Sequence, residues 1–103
     1  MAEHKILVLK NSPNQCVVWP PYQLVVGNDK VTWTNLTGDK IDVTFDPQRH
    51  PYDNDNPLNN IPDTGKKTKK VHGSPASGRY PYRVWCQATR SYAEGGSDGE
   101  VDV

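Results

Sequence analysis

Apolar and polar residues alternate along most of this 103-residue chain. Successive side chains of a β-strand point to opposite faces, so a period of two predicts strands that are buried on one side. Val31–Thr34 and Ile41–Phe45 show the alternation most clearly, and Tyr80–Cys86 places its aromatic and apolar residues at every second position. The pattern predicts strands at 6–9, 16–19, 22–26, 31–34, 41–45, 66–71, 80–86 and 101–103.

Turn-forming residues separate these strands. Pro20 and Pro21 cannot donate ladder hydrogen bonds and therefore predict a bend or an edge. The segment 46–65 is rich in Pro, Asn and Asp, and predicts a long surface loop with one helical turn near 58–61. Seven to eight short strands and no amphipathic helix predict an all-β fold, a Greek-key β-sandwich that forms one domain over residues 1–103.

Four lysines, at positions 66, 67, 69 and 70, lie in one predicted strand. Lysines along a strand protect a sheet edge from pairing with another chain, and this is the interpretation that we favour. The alternative is a basic patch that meets phosphate or an acidic partner.

The charge balance argues against two classes of partner. Twelve basic and twelve acidic residues give a formal net charge of zero, so we expect neither a nucleic-acid-binding nor a membrane-surface protein. No apolar run approaches the ~20 residues of a membrane span, and residues 1–5 do not read as a signal peptide. The localisation stays open between the cytoplasm and export after removal of a leader.

Three stretches carry a family resemblance. They are Val25–Asn35, Ile41–Phe45, and Gly78–Cys86 with the glycine-rich segment and the 99–103 strand that follow. In their order and spacing these stretches resemble the cupredoxins, and they cover nearly the whole chain apart from 46–65. The resemblance implies a cupredoxin-like sandwich in which Cys86 stands at the position of the copper-binding thiolate.

The other copper ligands that the resemblance implies are absent. Ile41 stands where a copper-binding cupredoxin has its first His, and residues 87–97 contain neither His nor Met. A blue-copper site requires two imidazoles and one thiolate, so we expect no metal and no other cofactor. The resemblance instead implies an apolar interior at Ile41 and Cys86, where a buried Cys behaves as a small hydrophobic residue.

Cys16 and Cys86 are the only cysteines in the chain. The resemblance implies that the strand of Cys16 runs beside the strand that ends at Cys86. A disulfide between them and two free thiols are both compatible with that arrangement. The missing leader sequence favours free thiols slightly.

Trp19, Trp85 and Tyr92 are expected to point outwards if Cys86 points inwards. Exposed aromatic residues near one end of a sandwich predict a surface for a protein partner, and the resemblance implies docking at that end. The alternative is that each ring covers a neighbouring side chain.

Other candidate sites are weaker. His4, His50 and His72 match no ligand spacing and are expected to be solvated surface imidazoles. The Asp-Asn-Asp-Asn segment at 53–56 lacks the glycine and glutamate of a calcium loop and is expected to be a solvated polar loop. Asn35-Leu36-Thr37 fits the glycosylation pattern, although Asn35 also reads as a turn residue. We expect no enzymatic activity, because the sequence pairs no nucleophile with a base.

These observations predict a metal-free cupredoxin-like module that binds a partner or has a structural role. One alternative is an electron-transfer protein with a remodelled copper site. Another is an immunoglobulin-like domain, since Cys16, Trp33 and Cys86 follow its Cys–Trp–Cys order. Val84 argues against that second alternative, because immunoglobulin domains carry Tyr two residues before the second Cys.

Overall fold

The structure is a computed structural model. It describes residues 2–45, 50–52, 58–74, 78–93 and 100–102, the last range for the backbone alone. Ten β-strands occur in this part of the chain. They are β1 (Glu3–Ser12), β2 (Gln15–Trp19), β3 (Tyr22–Leu24), β4 (Lys30–Leu36), β5 (Ile41–Phe45), β6 (Leu58–Ile61), β7 (Lys66–Lys70), β8 (Arg79–Cys86), β9 (Ser91–Tyr92) and β10 (Glu100–Asp102).

The strands form two sheets. The four-stranded sheet has the order β2-β1-β4-β7, in which β1 and β4 run parallel and the other neighbours antiparallel. The six-stranded sheet has the order β3-β10-β8-β5-β6, with β9 paired to β8. Its β10 runs parallel to β3 and antiparallel to β8. The predicted all-β sandwich is confirmed, and each predicted strand matches an observed one.

The two prolines lie where the chain changes sheets. Residues 20–21 connect β2 of the four-stranded sheet with β3 of the six-stranded sheet, and the Trp19–Pro20 peptide bond is cis. Because Pro has no backbone donor, it suits a corner at which ladder pairing stops. The bend predicted from the sequence is therefore found at this corner.

The core lies between the sheets and follows the alternation of the strands. In β4, Val31, Trp33 and Asn35 point inwards and are buried, while Thr32 and Thr34 are only partly covered. In β8, Tyr80, Tyr82, Val84 and Cys86 are buried in the same way. The largest fully buried side chain is that of Trp33. The core is thus built by the period-two pattern read from the sequence.

Residues 58–61 form a strand, so the helical turn predicted there is wrong. Leu58 and Ile61 are both buried, and pair with Val43 and Ile41 of β5 across an irregular register. Asn60 between them has φ of 54°, in the left-handed region that Asn adopts more readily than most residues. This irregularity puts two buried side chains three residues apart, a spacing that imitates a helical turn. Within the predicted 46–65 loop, residues 46–49 and 53–57 lie outside the described residues.

The lysine-rich strand β7 is the last strand in the order of the four-stranded sheet. Lys66, Lys67 and Lys70 are exposed, whereas Lys69 is buried. The edge position predicted from the lysines is confirmed. Among the described residues, no helix has the length and apolar character of a membrane span.

Candidate functional site

Cys86 and Ile41 lie side by side at one end of the six-stranded sheet. They are directly paired residues of β8 and β5, and both side chains are completely buried. Cys86 is the last residue of β8, and inward side chains alternate along both strands, so the two residues project into the core at this end. The apolar environment expected at this position is present.

A disulfide joins Cys86 to Cys16 of β2, with the two Cα atoms 6.8 Å apart. Cys16 is also completely buried, and its strand belongs to the four-stranded sheet. The bond therefore crosses the core and links the two layers of the sandwich. In this structure neither sulfur is the free thiol that the sequence slightly favoured.

The chain after Cys86 folds back on β8. The Thr89 amide donates to the Cys86 carbonyl at 3.3 Å, and the Arg90 amide donates to the Gln87 carbonyl at 3.3 Å. Arg90 has φ of 49°, which completes a tight turn and lets β9 pair with the end of β8. Residues 87–93 thus form a hairpin, and the remainder of the 87–97 segment lies outside the described residues.

The residues at this position do not fit a blue-copper centre. Such a centre requires a thiolate and two imidazoles in one plane. Here the sulfur of Cys86 is bonded to another sulfur, and its strand neighbour is the hydrocarbon side chain of Ile41. Across the described part of the chain, no three His, Cys, Asp or Glu side chains lie close enough to hold a metal ion.

Trp85 and Tyr92 form an aromatic pair on the outer face of the six-stranded sheet. They are directly opposed in the β8–β9 pairing, with ring centroids 5.1 Å apart and planes at 73°. The guanidinium carbon of Arg83 lies 4.1 Å from the centre of the Tyr92 ring. We call these three residues, Arg83, Trp85 and Tyr92, the Trp85 surface.

Trp19 does not join this surface. Cys16 and Val18 of β2 point into the core, so the alternation places Trp19 on the outer face of the four-stranded sheet, where it pairs with Leu7. Its side chain is 63% exposed. The structure therefore brings together two of the three aromatic residues predicted to form a partner surface, and places the third on the other sheet.

A hydrogen-bonded cluster around Asp29 was not predicted from the sequence. The Asp29 carboxylate is buried and accepts from the Ala2 amide at 2.8 Å and the Val26 amide at 3.1 Å. His4 Nε2 lies 2.8 Å from the same carboxylate, and His4 Nδ1 lies 3.0 Å from Gln23 Nε2. The hydrogen bond from His4, followed by those from the two amides, lowers the pKa of Asp29 to about 2.

The three histidines therefore differ in their surroundings. His4 is a partly buried member of the Asp29 cluster, so its expected role as a solvated imidazole is wrong. His50 stacks on the Tyr52 ring at 5.9 Å. His72 is exposed, and its Nδ1 accepts from the Ser74 amide at 3.0 Å. The His4–Asp29 contact could not be predicted from local sequence patterns, because 25 residues separate the two.

Asn35 of the glycosylation pattern is completely buried. Its Nδ2 donates to the carbonyls of Asp39 at 2.6 Å and Ile61 at 2.9 Å. Its Oδ1 accepts from the Thr37 amide at 3.0 Å. The side chain is thus fully engaged in tying the end of β4 to the following turn and to β6, so its amide nitrogen is not available for modification in the folded chain.

The structure is similar to solved cupredoxins over nearly its whole length. A purple cupredoxin from Nitrosopumilus maritimus matches 97% of this chain and 98% of its own, with a TM-score of 0.59 and 18% sequence identity. A mutant of amicyanin in its oxidized form matches 94% of this chain and 79% of its own, with a TM-score of 0.56 and 17% identity. The chain has the cupredoxin fold.

The cupredoxin fold predicted from three sequence stretches is therefore confirmed, in place of the immunoglobulin-like alternative. No protein-family profile and no curated protein matches the sequence. At the observed level of identity, the likeness to cupredoxins concerns the backbone arrangement alone. The function must be argued from the side chains of this chain.

Proposed function

We propose that this chain is a protein-binding module with a cupredoxin fold, and that the Trp85 surface contacts the partner. The observation that carries the proposal is the mutually packed set of Trp85, Tyr92 and Arg83 on the outer face of the six-stranded sheet, in which Tyr92 and Arg83 are exposed and Trp85 is half-buried. Trp, Tyr and Arg are the residue types most enriched among those that dominate binding energy at protein interfaces. The proposal assigns the chain no catalytic role.

The Trp85 surface is ordered before any partner binds. Trp85 Nε1 donates to Gln87 Oε1 at 3.4 Å, and the Tyr92 ring contacts both the indole and the Arg83 guanidinium. Side chains that are already held in position lose less rotamer entropy on binding. The tyrosine nevertheless remains 43% exposed, so it offers ring surface for contact.

The core beneath this surface supports a rigid platform. Val84 and Cys86, the residues on either side of Trp85, are completely buried. Cys86 is further fixed by the bond to Cys16. The disulfide thus supports a binding role, because it immobilises the strand that presents Trp85 while it removes a thiolate from redox or metal chemistry.

Capture of partners from an extract of the source organism tests the binding proposal. We expect the Trp85→Ala protein to retain roughly tenfold less of a partner that is captured by the unchanged protein. Trp19→Ala is the matched control, since it removes an exposed indole from the other sheet and should leave capture unchanged. Equal capture by the unchanged and Trp85→Ala proteins, both shown to be folded by circular dichroism, would contradict the proposal.

Copper addition tests the electron-transfer alternative. We expect neither the oxidised nor the reduced protein to form a stoichiometric copper complex with strong thiolate-to-copper absorption, since Cys86 lacks imidazole partners. Such a complex in the reduced protein would favour the alternative of a remodelled copper site over a binding module.

A further inference from the structure

The strand β3 is the outermost described strand at one edge of the six-stranded sheet. One of its sides pairs with β10, and no described strand pairs with its other side. An edge strand presents a row of N–H and C=O groups that can form a ladder with a strand of another chain. The outer side of β3 is therefore a candidate docking site for a strand.

The edge at β3 lacks the protection that β7 gives to the other sheet. Three of the five residues of β7 are exposed lysines, which oppose pairing with a further strand because they bring charge to the edge. Residues 11–28, which include all of β3, contain no Asp, Glu, Lys, Arg or His. Pro20 and Pro21 precede β3 and restrict pairing to the residues that follow them. The edge at β3 is thus short but uncharged.

Apolar side chains lie exposed along this edge. Tyr22 is 60% exposed and Leu24 is 70% exposed, and Val26, two residues further on, is 62% exposed. Gln23 points the other way, towards His4 of β1. Because successive side chains of a strand alternate, Tyr22 and Leu24 stand side by side on the outer face of the six-stranded sheet. A row of exposed apolar side chains on an uncharged sheet edge is typical of a contact with another chain.

The strand β3 is held in place before any second strand arrives. Gln23 Nε2 lies 3.0 Å from His4 Nδ1 and donates to the Leu24 carbonyl at 3.1 Å. A carbonyl oxygen has two lone pairs, so Leu24 can still accept a ladder hydrogen bond. The Val26 amide donates to the Asp29 carboxylate at 3.1 Å. A strand that already has its conformation loses less entropy when it pairs than a mobile segment does.

We propose that β3 pairs with β3 of a second copy of this chain, antiparallel and about a twofold axis that passes next to Gln23. This register places Tyr22 opposite Leu24 of the partner subunit on the outer face, and the symmetry repeats the pair. A twofold contact sets a surface against itself, so an edge that carried net charge would repel its own copy. The uncharged β3 meets this requirement, and the two Tyr–Leu pairs cover apolar surface that each copy alone exposes to water.

The exposed apolar area indicates a weak dimer. A large apolar side chain exposes on the order of 100 Å², so Tyr22, Leu24 and Val26 together offer about 300 Å² per copy. A stable interface buries about 800 Å² per partner, so this contact falls among the small, transient ones. We therefore expect a dissociation constant above about 1 μM.

Sedimentation velocity between about 10 μM and about 1 mM tests the proposal, and we expect the unchanged protein to shift from monomer towards dimer over this range. Leu24→Lys should weaken the association about tenfold or more, because it gives β3 the charge that protects β7. Leu36→Lys is the matched control, since it places the same charge at a 45% exposed leucine of the other sheet and should leave the association unchanged. A protein that stays monomeric, an association that Leu24→Lys does not weaken, or an equal loss in both variants would overturn the proposal.

A mixture of two variants tests the register. Tyr22→Glu and Leu24→Lys should each associate poorly alone, since each brings charge of one sign to both sides of the contact. In the proposed register a mixed dimer sets the new carboxylate opposite the new ammonium group and keeps one Tyr–Leu pair, so the mixture should associate more strongly than either variant alone. Tyr22→Glu mixed with Leu36→Lys is the control and should show no such gain. Equal association of the two mixtures would rule out the antiparallel pairing of β3 about Gln23.

Discussion

Breaking the Cys16–Cys86 bond is expected to lower the free energy of unfolding by about 4 kcal/mol. The bond joins residues 70 positions apart in the sequence, so it forbids most extended conformations of the unfolded chain. The chain-entropy argument assigns a loop of this length a loss of about 15 cal/mol/K, which gives the stated value at 25 °C. A domain of this size has a total stability of about 5–15 kcal/mol, so the effect is a large share of it.

Urea denaturation of the oxidised and reduced proteins measures this difference. The Cys16→Ala/Cys86→Ala protein provides the matched control, since reductant should not change its unfolding midpoint. For a domain of this length the expected loss corresponds to a fall in melting temperature of roughly 20 °C. The m-value should rise on reduction, because the uncrosslinked chain exposes more surface when it unfolds.

Two results would refute this reasoning at different steps. If the mass of the denatured protein gains no hydrogen atoms on reduction, the bond between Cys16 and Cys86 is absent. If the mass changes but the urea midpoint does not, the bond is present, but it does not stabilise the folded protein by restricting the unfolded chain.

Three further predictions concern other parts of the fold. The pKa of Asp29 is lowered from 3.8 to about 2, so its stabilising contribution is complete above about pH 4 and is lost as the pH falls towards 2. The urea midpoint of unfolding should therefore fall over this pH range, and Asp29→Asn should weaken the dependence of the midpoint on pH. Asn35→Ala leaves several buried partners unpaired and should cost about 3 kcal/mol by the same assay, whereas Leu36→Ala at an exposed site should cost much less. Gly27→Ala places a methyl group 2.5 Å from the Gly73 carbonyl oxygen and should cost about 2 kcal/mol, and a melting temperature equal to that of the unchanged protein would contradict this clash.

The sequence predicted strands wherever pairing is regular. In β4 and β5 every second residue faces the core, and the alternation of the sequence marks that directly. β6 was missed because Leu58 and Ile61 pair across an irregular register, and because Asn and Pro dominate the surrounding composition. β9 has only two residues, Ser91 and Tyr92, which is too short for any periodic pattern.

Contacts between distant residues were less predictable. The sequence left the bonding of Cys16 and Cys86 open, because a pairing of two cysteines depends on the positions of two strands and not on their spacing. Asp29 carried no signal for its burial, since an acidic residue after Gly and Asn is typical of an exposed turn. Outward orientation was predictable for Trp19 from alternation, but which sheet it belongs to depends on the path of the chain.

The disulfide also determines how far the chain can be stretched. If force is applied at residues 1 and 103, the bond carries the tension directly from Cys16 to Cys86, and the segment between them stays inside a closed ring. Only the residues outside the ring, about 30 of them, can then extend, by on the order of 100 Å. Reduction would release the ring and allow an extended length of roughly 350 Å. The oxidised molecule would therefore act as a tether of short, fixed reach under load, whatever the stability of its sheets.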